Sequence, residues 1–136
     1  MKPIYAIAPL AALALAGCAS MEPPTAAKAQ VTGSVLYRER IMLPPTATVT
    51  VTLADTSLMD APAQVIDTQV ITGGSPPYKF ALSYDPAKIV PKHTYSVSAR
   101  IEVDGKLRFI TDTHTPVITS GAPTHVEMIA VGVPQN

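Results

Sequence analysis

From Thr48 to Leu53 the chain alternates threonine with aliphatic residues: Thr48, Thr50 and Thr52 against Val49, Val51 and Leu53. A strict period of two fits an extended strand, whose successive side chains leave on opposite faces. A helix would scatter the same residues around its axis. β-Branched threonines suit the wet face of a pleated sheet, while the aliphatic set needs an apolar layer to cover it. One strand of this kind is not stable alone, so the segment predicts a β domain built around it.

The period recurs. Val31, Gly33, Val35 and Tyr37 alternate with Thr32 and Ser34, although Leu36 blurs the rule. Tyr78, Phe80, Leu82 and Tyr84 alternate with Lys79, Ala81 and Ser83. Tyr95, Val97, Ala99, Ile101 and Val103 alternate with Ser96, Ser98, Arg100 and Glu102. Residues 64–72 hold no single phase: Val65 and Ile71 fall on one side, Ile66 and Val70 on the other. A bulge or a centrally buried strand would explain that. A last strand is expected over 124–131. Between the runs lie Pro44-Pro45, the loop 55–62 and Gly73-Gly74-Ser75-Pro76-Pro77. Asp85-Pro86-Ala87-Lys88 reads as a turn, with one helical turn over 86–89. Asp104-Gly105 stands between two apolar runs, the strongest short-range hairpin signal, because a type I′ turn needs positive φ at both central residues.

About seven strands with turn signals every 8–12 residues or so predict an all-β fold, a small antiparallel β-sandwich over residues 31–133, Ig-like or transthyretin-like in kind. A small barrel is the main rival. The 14 prolines and 7 glycines favour short strands over long helices. Hydrophobic residues make up 47% of the chain, too many for a disordered one; with no Trp and 5% aromatics, the core must come mostly from Val, Ile and Leu. Two packed sheets leave edges, where another chain can add a strand.

The N-terminus reads differently. Lys2 precedes an uncharged, mostly apolar run from Ile4 to Ala16. The run is shorter than the roughly 20 residues a membrane-spanning helix needs, and it matches the apolar region of a signal peptide. It ends in Leu15-Ala16-Gly17-Cys18, which holds the one cysteine of the chain. This resembles the lipobox of bacterial lipoproteins: cleavage before Cys18, then lipid on its thiol. Ordinary secretory cleavage after Ala14-Leu15-Ala16 and an uncleaved anchor are the rival readings. Residues 1–17 are thus expected to be a signal peptide, and 18–30 a lipidated N-terminus and tether. Pro23-Pro24 keeps that tether extended, with a reach on the order of 40 Å. A single cysteine makes no internal disulfide. By resemblance to Gram-negative sorting, Ala19 rather than Asp after the cysteine implies an outer-membrane anchor facing the periplasm. Without Lys2 the chain carries a formal charge of −1, which gives no electrostatic attraction to nucleic acid.

Candidate chemistry is sparse. His93, His114 and His125 share no metal-ligand spacing with each other or with Cys18. Each reads as a solvated strand end. Gly33-Ser34 and Gly74-Ser75 lack the G-x-S-x-G elbow, and most aspartates sit at turns, where they cap their own backbone. No phosphate loop follows Gly73-Gly74. The chain therefore reads as a non-enzyme with no cofactor. The Thr48/Thr50/Thr52 face and Pro76-Pro77-Tyr78 are candidate contact surfaces, more simply read as a wet sheet face and a strand start.

Five stretches carry a family resemblance: Val-Thr-Gly-Ser-Val from 31, Leu43-Pro44, Val-Thr-Val-Thr-Leu-Ala-Asp from 49, Pro-Pro-Tyr-Lys-Phe-Ala-Leu-Ser-Tyr-Asp from 76, and Tyr-Ser-Val-Ser-Ala-Arg-Ile-Glu-Val-Asp-Gly from 95. In this order they resemble the YbaY-like envelope lipoproteins, related to the YscW-type lipoprotein chaperones of type III secretion, the pilotins. The resemblance covers roughly residues 31–131. It implies a β-sandwich, an outer-membrane anchor through Cys18, and a non-enzymatic binding or assembly role; the pilotin branch adds help in targeting or assembling a secretin. The implied partners are the membrane and an envelope or secretion-system protein. The alternative is a periplasm-facing sandwich that binds a small ligand or glycan.

Overall fold

The computed structural model describes residues 29–58 and 60–136, with Pro3 as an isolated residue before them. The expected signal peptide, the cleavage motif Leu15, Ala16 and Gly17, and the lipidation site Cys18 lie outside the described residues, as does most of the tether.

Among the described residues eight strands follow one another: β1 (Ala29–Tyr37), β2 (Thr48–Asp55), β3 (Gln64–Thr72), β4 (Tyr78–Tyr84), β5 (Tyr95–Val103), β6 (Lys106–Ile110), β7 (Pro116–Val117) and β8 (His125–Gly132). A 3-10 turn, Pro86–Lys88, lies between β4 and β5, and Asp85 caps it by accepting from Ala87 N. The alternating runs became the strands expected of them. In β2, Val49, Val51 and Leu53 are fully buried while the threonines stay half-exposed. Full burial of each such side chain is worth about 1.5–3 kcal/mol. The hairpin at Asp104-Gly105 is present, with φ of 51° and 79°. Residues 64–72 contain the bulge: Asp67 pairs with Leu53 and Val65 with Ala54, which leaves Ile66 as the extra residue. The strand is an edge strand, not a central one.

The expected antiparallel sandwich is corrected in two respects. First, the strands form one path, β3-β2-β5-β6-β8-β1-β4, which curls into a nearly closed barrel. Phe109↔Gly132 and Ile110↔Val131, the short β6–β8 ladder, join what would otherwise be two sheets. Small inward residues let the walls close, among them Gly33, Ala99 and Ala130. At Gly33 the approach is extreme: a Cβ there would stand 1.7 Å from the Val126 carbonyl oxygen and 3.0 Å from Phe80 Cζ. Second, β8 runs parallel to β1, with Thr32 opposite His125 and Tyr37 opposite Ala130. Chain order dictates this. After β6 the segment 111–117 follows β5 back down the barrel, through Thr111 N to Ala99 O, Val97 N to Thr115 O and the β7–β5 pair Tyr95↔Val117. The chain then turns and climbs between β6 and β1. β7 was not visible as a strand in the sequence.

All eight strands contribute buried or half-buried apolar side chains inward. The buried core comprises Val31, Val35, Phe80, Leu82, Val97, Ile101, Phe109, Val117 and Met128 among others, and no described polar side chain is buried with them. The Tyr37 and Phe109 rings stack at 4.6 Å near the end where β1 and β8 finish.

Candidate functional site

The path of the sheet has two ends, β3 and β4, and these face each other across the remaining gap. They share no strand ladder. Instead, two β3 side chains bond to the β4 backbone. Gln69 Oε1 accepts from Ala81 N at 2.8 Å, and Asp67 Oδ2 accepts from Ser83 N at 2.8 Å. Asp67 Oδ1 also accepts from Thr68 N. The reason is visible in the phase of β3. Asp67, Gln69 and Ile71 hold the half-buried positions, while Val65, Ile66 and Val70 are exposed. Polar side chains thus occupy the inner phase and satisfy an edge that would otherwise offer free N–H groups.

Below this seam, beside the β3 bulge, the two edges diverge around a cleft of about 490 Å³. Gln64–Asp67 line it from the β3 side and Ser83–Asp85 from the β4 side, and Lys88, Ile89, Val90, His93, Tyr95 and Asp55 complete the lining. Val65 and Val90 are well exposed for aliphatic residues, at 59% and 42%. The Tyr95 hydroxyl accepts from Val90 N at 3.0 Å and fixes the loop after the 3-10 turn.

A polar network ties the cleft together at Asp55. Its Oδ1 accepts from the Ser57 hydroxyl at 2.5 Å and from Ser57 N at 2.9 Å; its Oδ2 accepts from His93 Nδ1 at 2.7 Å. The Ser57 hydroxyl in turn accepts from Thr94 N at 2.8 Å, and Thr119 donates to the His93 carbonyl. The Ser57 hydroxyl, helped by the Ser57 N–H and His93, holds the Asp55 carboxyl below its usual range; partial burial opposes them. Serine, histidine and aspartate therefore meet here, and His93 is more than a solvated strand end. The order is wrong for acyl transfer, however. A serine hydrolase needs the imidazole between hydroxyl and carboxylate, whereas here the carboxylate sits in the middle. The hydroxyl proton goes to Asp55, so the network pins the segment after β2 to the segment before β5.

The remaining sequence candidates stay apart. His125 Nδ1 lies 3.0 Å from Thr32 Oγ1 on the outer face. His114 is exposed in the loop before β7. Ser34 lies within β1 and Ser75 in the β3–β4 loop. Thr48, Thr50 and Thr52 line the outer face of β2 beside Ser98 and Arg100. Among the described residues no three acidic, histidine or cysteine side chains converge to hold a metal. Sequence reasoning missed Asp55, Ser57, Asp67 and Gln69. For the last two a signal existed, since apolar and polar residues exchange faces along β3.

The described residues thus form a small, almost closed β-barrel with one seam sealed by side chains and a cleft, partly apolar and edged by carboxylates, beside that seam. The chain belongs to the family of type III secretion system lipoprotein chaperones (YscW), which it matches over residues 26–129. It is similar to the uncharacterized lipoprotein YbaY of Escherichia coli strain K12, 40% identical over 116 residues, 84% of this chain. The chain spans 60% of that relative's length. It is also similar to a solved structure, an alternative pilotin from the type II secretion system of Vibrio cholerae. There the identity is 58% and the TM-score 0.75, over 79% of this chain and 99% of that one.

Proposed function

We propose that this protein is a lipid-anchored, pilotin-like chaperone: a non-enzymatic module that holds a segment of a secretion-system component at the envelope. The observation that carries the reading is the likeness to a type II secretion pilotin across 99% of that chain at 58% identity. The lipid is placed on Cys18, after removal of residues 1–17, and residues 18–28 tether the barrel to the outer membrane on its periplasmic side. β1 begins at Ala29, two residues before the alternation indicated. In this reading the cleft between β3 and β4 is the holding site.

The test has two parts. Labelled palmitate should enter the mature chain and be lost in Cys18→Ala. In envelopes of cells expressing the wild type, an outer-membrane secretion component should co-purify with the chain and fall into the inner-membrane fraction when the gene is deleted. Unchanged distribution of every secretion component after deletion would overturn the chaperone role. The cleft also favours a second reading. Its volume lies in the range of small-molecule sites, so a metabolite or glycan that binds there would raise the melting temperature through RT ln(1 + [L]/Kd).

A further inference from the structure

The chemistry of the cleft narrows its occupant. Asp67 lines it from the β3 side and Asp85 from the β4 side, and Asp55, also in the lining, is already engaged by His93. Against these three carboxylates, the basic side chains that line the cleft among the described residues are Lys88 and His93. The carboxylates of Asp67 and Asp85 accept backbone N–H groups. A carboxylate oxygen has a second lone pair, so each can still receive an outside donor. Val65, Ile66 and Val90, which also line the cleft, present aliphatic surface to solvent. The cleft thus offers an apolar patch rimmed by negative charge.

Its position adds a second constraint. Ala29, where β1 begins, pairs with Tyr84, which lines the cleft. The chain arrives from its N-terminal segment at the lip of the cleft, and eleven or so residues separate that point from Cys18. At most about 3.5 Å per residue, they keep the mouth within roughly 40 Å of the lipid.

We propose that the cleft receives a short, membrane-proximal polypeptide segment of a partner, in which aliphatic side chains lie beside a lysine or arginine: the aliphatic groups cover Val65, Ile66 and Val90, and the cation sits between Asp67 and Asp85. This rests on the holding-site reading above and specifies the chemistry of what is held. Removing the exposed aliphatic surface from water supplies affinity. The carboxylates select the cation and reject acidic segments.

The test uses the full chain in its native envelope, with a photo-crosslinking phenylalanine analogue at position 66 or 90 and, as a control, at Val131 on the outer face of β8. Cross-linked peptides are sequenced by mass spectrometry. Adducts from positions 66 and 90 should map to aliphatic residues within about four positions of Lys or Arg. Lys88→Glu should raise their yield and Asp85→Lys lower it, each about two- to fivefold, the scale of a partly exposed ion pair. The gain with Lys88→Glu cannot arise from damage to the fold. Adducts to neutral or acidic segments, to lipid alone, from position 131 alone, or none at all would overturn the proposal. The two readings separate cleanly: a cationic segment in a protein unrelated to secretion keeps this inference and removes the chaperone role. A neutral segment in a secretion component does the reverse.

Discussion

Gly33 is a residue whose missing side chain holds the barrel shut. With the Val126 carbonyl 1.7 Å from where a Cβ would stand, and that atom part of the β8 backbone, nothing flexible can yield. Gly33→Ala should cost at least about 3 kcal/mol, read as a drop in the urea midpoint, or prevent folding. Gly74 is the contrast. It has open space around it and a φ of +84°, so Gly74→Ala should cost only about 1 kcal/mol from backbone strain. Asp55 gives a pH signature. Its carboxyl titrates below the ordinary value in the folded chain, so the folded state gains from the ionised form. That gain is present above the unfolded carboxylate pKa, about 3.9, and is lost as pH falls through the lower folded value. Asp55→Asn should therefore be less stable than wild type at pH 6, with the gap narrowing below pH about 4 in parallel denaturation curves.

At the scale of elements, the seam between β3 and β4 is the weakest join in the wall. Each N–H that it secures depends on one side chain. Gln69→Ala should speed amide exchange at Ala81, and Asp67→Ala at Ser83, with little effect on amides of the β2–β5 ladder. The global cost should be about 0.5–1.5 kcal/mol for the neutral bond and about 1.5–3 kcal/mol for the charged one. A freed edge is also a template for another chain, so both variants should self-associate more than wild type in sedimentation runs. Legibility followed the same division. β2, β4 and β5 were readable because each keeps one wet and one dry face, and that is the property that period-two patterning reports. β3 was readable as a bulge but not as an edge. β7 was not readable, since two residues pairing with Tyr95 and Ser96 leave no period to see. Asp55, Ser57 and His93 were invisible as a group: 38 residues separate Asp55 from His93, and only the β2–β5 register brings them together.

For the whole molecule, β8 is the closing piece. It joins β6 on one side and β1 on the other, so the β1–β4 pair is held to the rest of the wall through it. A chain ending at Thr124 should lose the cooperative thermal transition altogether, seen as the loss of a sigmoidal melt by circular dichroism, rather than show a lower midpoint. Whether those strands would make a sandwich or a barrel was not legible from local pattern. Both put alternate residues inside, and the choice falls to small residues such as Gly33 and to a two-pair ladder far apart in sequence.

Because the first and last strands run side by side in the same direction, the polypeptide goes in at one mouth of the barrel and comes out at the other. Gln135 binds back to the Leu107 and Val133 carbonyls near that far rim. A fluorescent reporter fused after Asn136 would hang over the opposite pole from the Asp67–Asp85 opening and leave it free. The same reporter spliced just ahead of Ala29 would sit across the doorway.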